Sequence, residues 1–196
     1  MTTLVEKITL VKEQRFILPG RHTWQQFKKL QALMEEFPGV RISYIDGCVE
    51  FMTVSEQHEN IKSVLAILLA LYLFEMGINF IPVGNATRED KTQNVSFEPD
   101  ESYYIGEKKE HPDLAIEVVI TSGGTGKLEK YKRFRISEVW FWENNQLSLY
   151  RLESDNYQPI SASTLLPELN IELLVRCVLM PSILEARTEF LNGIRP

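Results

Sequence analysis

The segment Leu114-Ala115-Ile116-Glu117-Val118-Val119-Ile120 leaves the fold the fewest options. It is a nearly unbroken apolar run rich in β-branched residues, the pattern of a strand covered on both faces. Such a strand needs a layer on either side of its sheet, which points to an α/β architecture. At its centre stands one carboxylate, Glu117. An ionised, unpaired glutamate inside a sheet costs several kcal/mol or has its pKa driven upward. Glu117 therefore calls for a cation, a basic side chain or a proton, and a salt bridge to Lys or Arg satisfies it as well as a metal ion does.

A second acid bears on that choice. Glu98-Pro99-Asp100-Glu101 runs directly into the strand-like Ser102-Tyr103-Tyr104-Ile105, and the Glu117 strand begins shortly afterwards. Asp100 and Glu117 are thus expected to meet across adjacent strands, where a hard divalent ion, Mg2+ or Mn2+, would relieve their repulsion. Waters and a backbone carbonyl such as that of Val118 would complete an octahedron. Taken singly, Asp100 reads equally well as a strand-entry turn residue after proline.

The rest of the chain can supply the layers. Thr23 is a candidate N-cap for an amphipathic helix marked by Trp24, Phe27, Leu30, Leu33, Met34 and Phe37, stopped at Pro38-Gly39. Val40 to Tyr44 and Cys48 to Val54 read as a hairpin joined at Asp46-Gly47. Ser55 then caps a long core helix over Glu56 to Met76, ended by Gly77. Strands are expected at Ile78 to Val83, near Asn85 to Glu89, at Glu101 to Ile105 and at Leu114 to Ile120. After a Gly-rich turn come a helix from about Lys127 to Arg135 and a second hairpin, Val139 to Glu143 with Leu147 to Leu152. A polar stretch with another strand then leads to a final helix, Pro181 to Leu191. With 196 residues, 44% of them apolar, and no repeat or linker, a single domain is expected, built on a central mixed sheet flanked by helices.

Several function classes lose support. Cys48 and Cys177 each stand alone in an apolar, strand-like run without a C-x-x-C partner, so buried reduced thiols are expected rather than a zinc site. The segment Met1 to Lys7 has no basic leader followed by a long apolar stretch, which implies a cytoplasmic protein. The longest apolar run, Val64 to Phe74, is far shorter than the ~20 residues of a membrane span. Thr121-Ser122-Gly123-Gly124-Thr125-Gly126-Lys127 fails the phosphate-loop pattern, because glycine is missing five positions before Gly126 and Leu128 follows the lysine. His22, His58 and His111 lack metal-ligand spacing, and His58 reads as a packed or capping residue. No serine lies in a G-x-S-x-G elbow, and Trp140 and Trp142 fit a buried strand. A net charge of −6 argues against a globally positive field, yet Lys127, Lys130, Lys132, Arg133 and Arg135 form a local basic cluster. Lys127 is the nearest cation after the Glu117 strand, with Lys130 its rival, and either could neutralise charge developing on a phosphate.

Five motifs in order resemble one family: Arg41 to Gly47, Glu56-Gln57-His58-Glu59, Glu98 to Ile105, Pro112 to Val118 and Ser137-Glu138-Val139-Trp140. This is the Uma-two-like family, common in cyanobacteria and regarded as candidate restriction endonucleases of the PD-(D/E)XK nuclease superfamily. The resemblance spans about Thr23 to Leu184. It implies a restriction-endonuclease-like core with an added N-terminal helix and hairpin. Asp100 would match the superfamily's first acid and Glu117 its second, with Mg2+ or Mn2+ as cofactor and DNA as substrate. The usual lysine two residues after the second acid is Val119 here, and the resemblance moves that role to Lys127, four residues before Tyr131 in a K-x-x-x-Y pattern. Glu59 would match an acid of the first core helix. Cleavage of both strands of a duplex would suit a homodimer. The rival expectation is a nuclease-fold protein that lost catalysis and binds nucleic acid or serves as a scaffold, with Val119 as its symptom.

Overall fold

The computed structural model describes residues 13–37, 39–120 and 124–195. Its organising element is the buried strand β8, Leu114–Val119, with every residue shielded from solvent. On one side it pairs antiparallel with β7, Glu101–Ile105, and on the other parallel with β9, Glu138–Glu143. A parallel neighbour requires a crossover. It is made by a 3-10 turn, Gly124–Lys127, followed by the short helix α3, Leu128–Arg133. The strands β10, Gln146–Glu153, and β11, Asn156–Ile160, extend the sheet beyond β9, and β4, Phe80–Pro82, closes it beyond β7.

Alternation along β8 decides what each face meets. Leu114, Ile116 and Val118 join Trp140 and Trp142 under three helices: α2, Glu56–Glu75, α4, Ile171–Val178, and α5, Ile183–Ile194. Ala115 and Val119 face the other way, with Val139, Phe141, Tyr131, Phe134 and Phe97. Glu117 shares that second face, so its carboxylate points toward α3 rather than the large helical core.

The second sheet is antiparallel throughout, with β1, Gln14–Ile17, β2, Val40–Ile45, β3, Cys48–Thr53, β5, Arg88–Asp90, and β6, Val95–Phe97, in the order β1-β3-β2-β6-β5. Asp46 and Gly47 both have positive φ, 47° and 88°, the type I′ geometry that lets a two-residue turn follow strand twist. The helix α1, Trp24–Met34, carries a capping box between Thr23 and Gln26 and packs Trp24 and Phe27 on Tyr44.

The α+β class and the helix-flanked mixed sheet agree with expectation, as do α1, the β2–β3 hairpin, α2 and the β9–β10 hairpin. Other features differ. The strands divide into two sheets, and β1 and β6 are additions, because three or four residues with mixed polarity carry little periodic signal. The run holding Cys177 is helical: Leu173, Leu174, Cys177 and Val178 bury one face behind the N-cap Asn170. Both cysteines are free, Cys177 buried and Cys48 only half-buried. The leader at Met1 to Lys7, the stop at Pro38 and the turn at Thr121 to Gly123 lie outside the described residues. Among those described, no helix is long and apolar enough to cross a membrane.

Candidate functional site

The β7–β8 register brings the two acids together. Glu101 pairs with Ile116, so the next step along both strands sets Asp100 opposite Glu117. At that step Asp100 leaves the ladder, and its side chain replaces the missing strand: Oδ2 accepts the Val118 N–H at 2.6 Å. In an antiparallel pairing the N–H and C=O of one residue leave from the same edge. The Val118 carbonyl therefore also faces the Asp100 side.

Asp100 is buried, and its Oδ1 accepts from His58 Nε2 at 2.9 Å and from Arg41. Burial alone would raise the pKa of this carboxyl. The His58 hydrogen bond and the Arg41 charge outweigh it and hold the group at about 2, so Asp100 is an anion at neutral pH. His58 is fully shielded in the first turn of α2, and its Nδ1 meets Glu13 Oε2 at 2.9 Å. Burial disfavours the imidazolium, yet the hydrogen bonds to Asp100 and Glu13 prevail and lift its pKa to about 9. With a carboxylate at each nitrogen, the ring carries both protons. Glu13 in turn accepts the Ile120 N–H at 3.3 Å, tying β8 to the segment ahead of β1.

Glu117 is served by the crossover after β8, through the last residue of its 3-10 turn and through α3. Lys127 Nζ donates to Oε2 at 2.5 Å, and the Tyr131 hydroxyl donates to Oε1. Residues four apart lie on one helical face, so the K-x-x-x-Y spacing delivers both donors to a single carboxylate. Burial would depress the Lys127 pKa, but Glu117 and Asp100 raise it on balance, and the ammonium stays charged. Tyr131 is driven well above its ordinary value by burial and by Glu117, so it remains a donor. Val119 is packed into the apolar cluster with Tyr131.

A small cleft between the sheets opens onto Glu117 and Lys127, lined also by Arg41, Ser43, Glu50 and Lys130. Lys130 Nζ donates to Ser43 Oγ at 2.6 Å, and Glu50 is paired with Arg15 at 2.6 Å. Lys127 and Lys130 thus turn inward, whereas Arg133 pairs with Asp46 at 2.7 Å and Arg135 with Asp155 at 3.3 Å. The expected basic cluster is therefore no continuous patch, because Lys127 and Lys130 are buried in the cleft while Lys132, Arg133 and Arg135 are each paired with a surface acid. Glu59 binds Arg41 at 3.2 Å and reaches neither acid.

From the described residues Asp100 accepts three hydrogen bonds and Glu117 two, out of about four lone-pair sites on a carboxylate. Lone pairs remain on both, and with the Val118 carbonyl they make an all-oxygen donor set suited to a hard cation. Among the described residues no group of three or more His, Cys, Asp or Glu is arranged to hold a metal. Two carboxylates and a carbonyl would thus leave further positions to water, as Mg2+ prefers.

The sequence profile of a family described as "Putative restriction endonuclease" matches residues 24–179. The chain belongs to the Uma2 family. A comparison with curated proteins finds no match. In this Uma2 chain the match runs from α1 through α4 and includes Asp100, Glu117, Lys127 and Tyr131, while Glu13 lies ahead of it. Sequence reasoning singled out Asp100, Glu117 and Lys127 but passed over His58 and Arg41 as partners of Asp100. His58 sits one turn before Ile61 on the buried face of α2. A histidine at such a position, in a chain with a buried acid to neutralise, is the signal that was available.

Proposed function

We propose that this Uma2 protein is a metal-dependent endonuclease that hydrolyses DNA phosphodiester bonds. One observation carries the reading: Asp100 binds the Val118 N–H next to Glu117 on β8, and a cation from the crossover that follows sits on Glu117. The residues that would hold Mg2+ or Mn2+ are Asp100, Glu117 and the Val118 carbonyl, and the donor set fits such an ion. When bound, the ion supplies Lewis acidity and lowers the pKa of a coordinated water. The chain's own groups do the rest. His58 and Arg41 keep Asp100 ionised and fixed in direction. Tyr131 orients Glu117, and Lys127 places a positive charge where negative charge grows on the phosphoryl oxygens.

The competing reading, a nuclease fold without catalysis, is favoured by Val119 and by the neutralisation of both acids by Arg41, His58 and Lys127. Cleavage of plasmid and single-stranded DNA in Mg2+ or Mn2+ separates the two. Wild type is expected to cut, and Asp100→Ala and Glu117→Ala to lose cutting. Equal cleavage by all three would mark a contaminant and remove the nuclease reading. A two-fold dimer fits cleavage of both strands of a duplex, and sedimentation velocity at several protein concentrations tests it.

A further inference from the structure

Lys130 lines the same cleft as Glu117 and Lys127 without touching either acid of the metal set. It is buried, and among the described residues the hydrogen-bond acceptor of its ammonium is Ser43 Oγ, at 2.6 Å. An ammonium has three N–H donors and no acceptor, so two donors stand over. Ser43 accepts from the lysine and keeps its own O–H to give. Of the two other acids of the cleft, Glu50 is bonded to Arg15 at 2.6 Å and is the main opposite charge felt by Lys130 without accepting a hydrogen bond from it, and Glu98 accepts from the Thr87 hydroxyl at 3.3 Å. Burial lowers the Lys130 pKa although Glu50 opposes it, so the ammonium is only partly compensated until an anion meets its two remaining donors.

We propose that Lys130 and Ser43 form the anchor for a second phosphate of the substrate strand, next to the phosphate that faces Glu117 and Lys127. The proposal rests on the nuclease reading above. Lys127 and Lys130 are three residues apart along one helical turn, which separates their Cβ atoms by about 5–6 Å. That is of the order of one nucleotide step. A phosphate oxygen between Lys130 and Ser43 receives charge-assisted hydrogen bonds from the ammonium and a further one from the hydroxyl. Lys127 and Lys130 then divide the work, one at the reacting phosphate and the other holding its neighbour. A simple phosphodiester with one phosphate would use only the first.

The test combines DNA binding with hydrolysis of bis(p-nitrophenyl) phosphate in Mn2+, which presents a single phosphate. Binding of a fluorescent duplex is followed by anisotropy across a salt series, without metal and with Ca2+. Lys130→Met is expected to weaken binding roughly tenfold and to flatten the slope of log affinity against log salt by about one. Hydrolysis of the single-phosphate ester should fall less than DNA cleavage does. Lys130→Arg should restore the slope, and Ser43→Ala should lower affinity with the slope intact. An unchanged slope in Lys130→Met overturns the proposal, as does ester hydrolysis that falls as far as DNA cleavage. Should Lys130→Met fail to fold by circular dichroism, Ser43→Ala decides, and unaltered affinity there overturns the anchor. A wild type that cuts nothing yet shows the Lys130-dependent slope would sink catalysis and keep the anchor. Asp100-dependent ester hydrolysis with DNA binding indifferent to Lys130 would do the reverse.

Discussion

Lys127→Met is the perturbation with the clearest consequence. The Lys127–Glu117 pair is 2.5 Å long, and its side chains are 9% and 5% exposed, so water screens it little. Removing one member of such a pair leaves a charge buried without its partner, at a cost of about 3–5 kcal/mol. Glu117 keeps the Tyr131 hydrogen bond, which places the loss near the lower figure, about 3 kcal/mol. For a chain of this size that is a fall in Tm of roughly 6–12 °C. Glu117→Gln should cost a similar amount, because it strands the ammonium. The double variant should be far more stable than the sum of the two losses allows, since neither charge then remains. Urea denaturation of the four proteins in EDTA measures the coupling. Mn2+ added to Lys127→Met should recover more stability than it adds to wild type, because a cation would take up the charge that the lysine left unbalanced. Additive losses, with no coupling between positions 117 and 127, would refute the view that the two charges hold each other in the interior.

Three further outcomes follow from the same geometry. The folded-state pKa of His58 is raised from 6.5 to about 9, so its contribution is complete below pH 6.5 and disappears as pH climbs through about 9. Metal-free wild type should therefore lose roughly 3 kcal/mol across that window, and His58→Gln should flatten the profile; parallel profiles would exclude this ion pair as the cause. Tyr131→Phe removes a donor from an ionised carboxylate and should cost about 1.5–3 kcal/mol by chemical denaturation, with no change expected if the hydroxyl were free. Buried Glu138 accepts from Trp140 Nε1, Ser163 Oγ, Thr164 N, Thr164 Oγ1 and Leu165 N; Glu138→Ala should cost more than about 3 kcal/mol. A loss under half of that in a melting experiment would show that water replaces the carboxylate.

Much of this protein is written in short-range signals. Thr23 caps α1, Asp46-Gly47 turns the first hairpin and Leu114–Val119 forms the central strand, because each rests on torsions or periodicities within a few residues. The demand for a partner at Glu117 was legible too, since burial of a charge is a cost whatever the fold. The partners themselves were not. Asp100 meets His58 and Arg41, 42 and 59 residues away along the chain, and no local pattern encodes that meeting. Lys127 and Lys130 look alike in sequence, and only the rotation of α3 against β8 sends one to Glu117 and the other to Ser43. Arg133 and Arg135 were counted with them until surface acids claimed both. The division has one physical source. Helices, turns and strands answer to interactions between near neighbours, while the site is assembled by strand register and by how two sheets pack, which are settled over the whole chain at once.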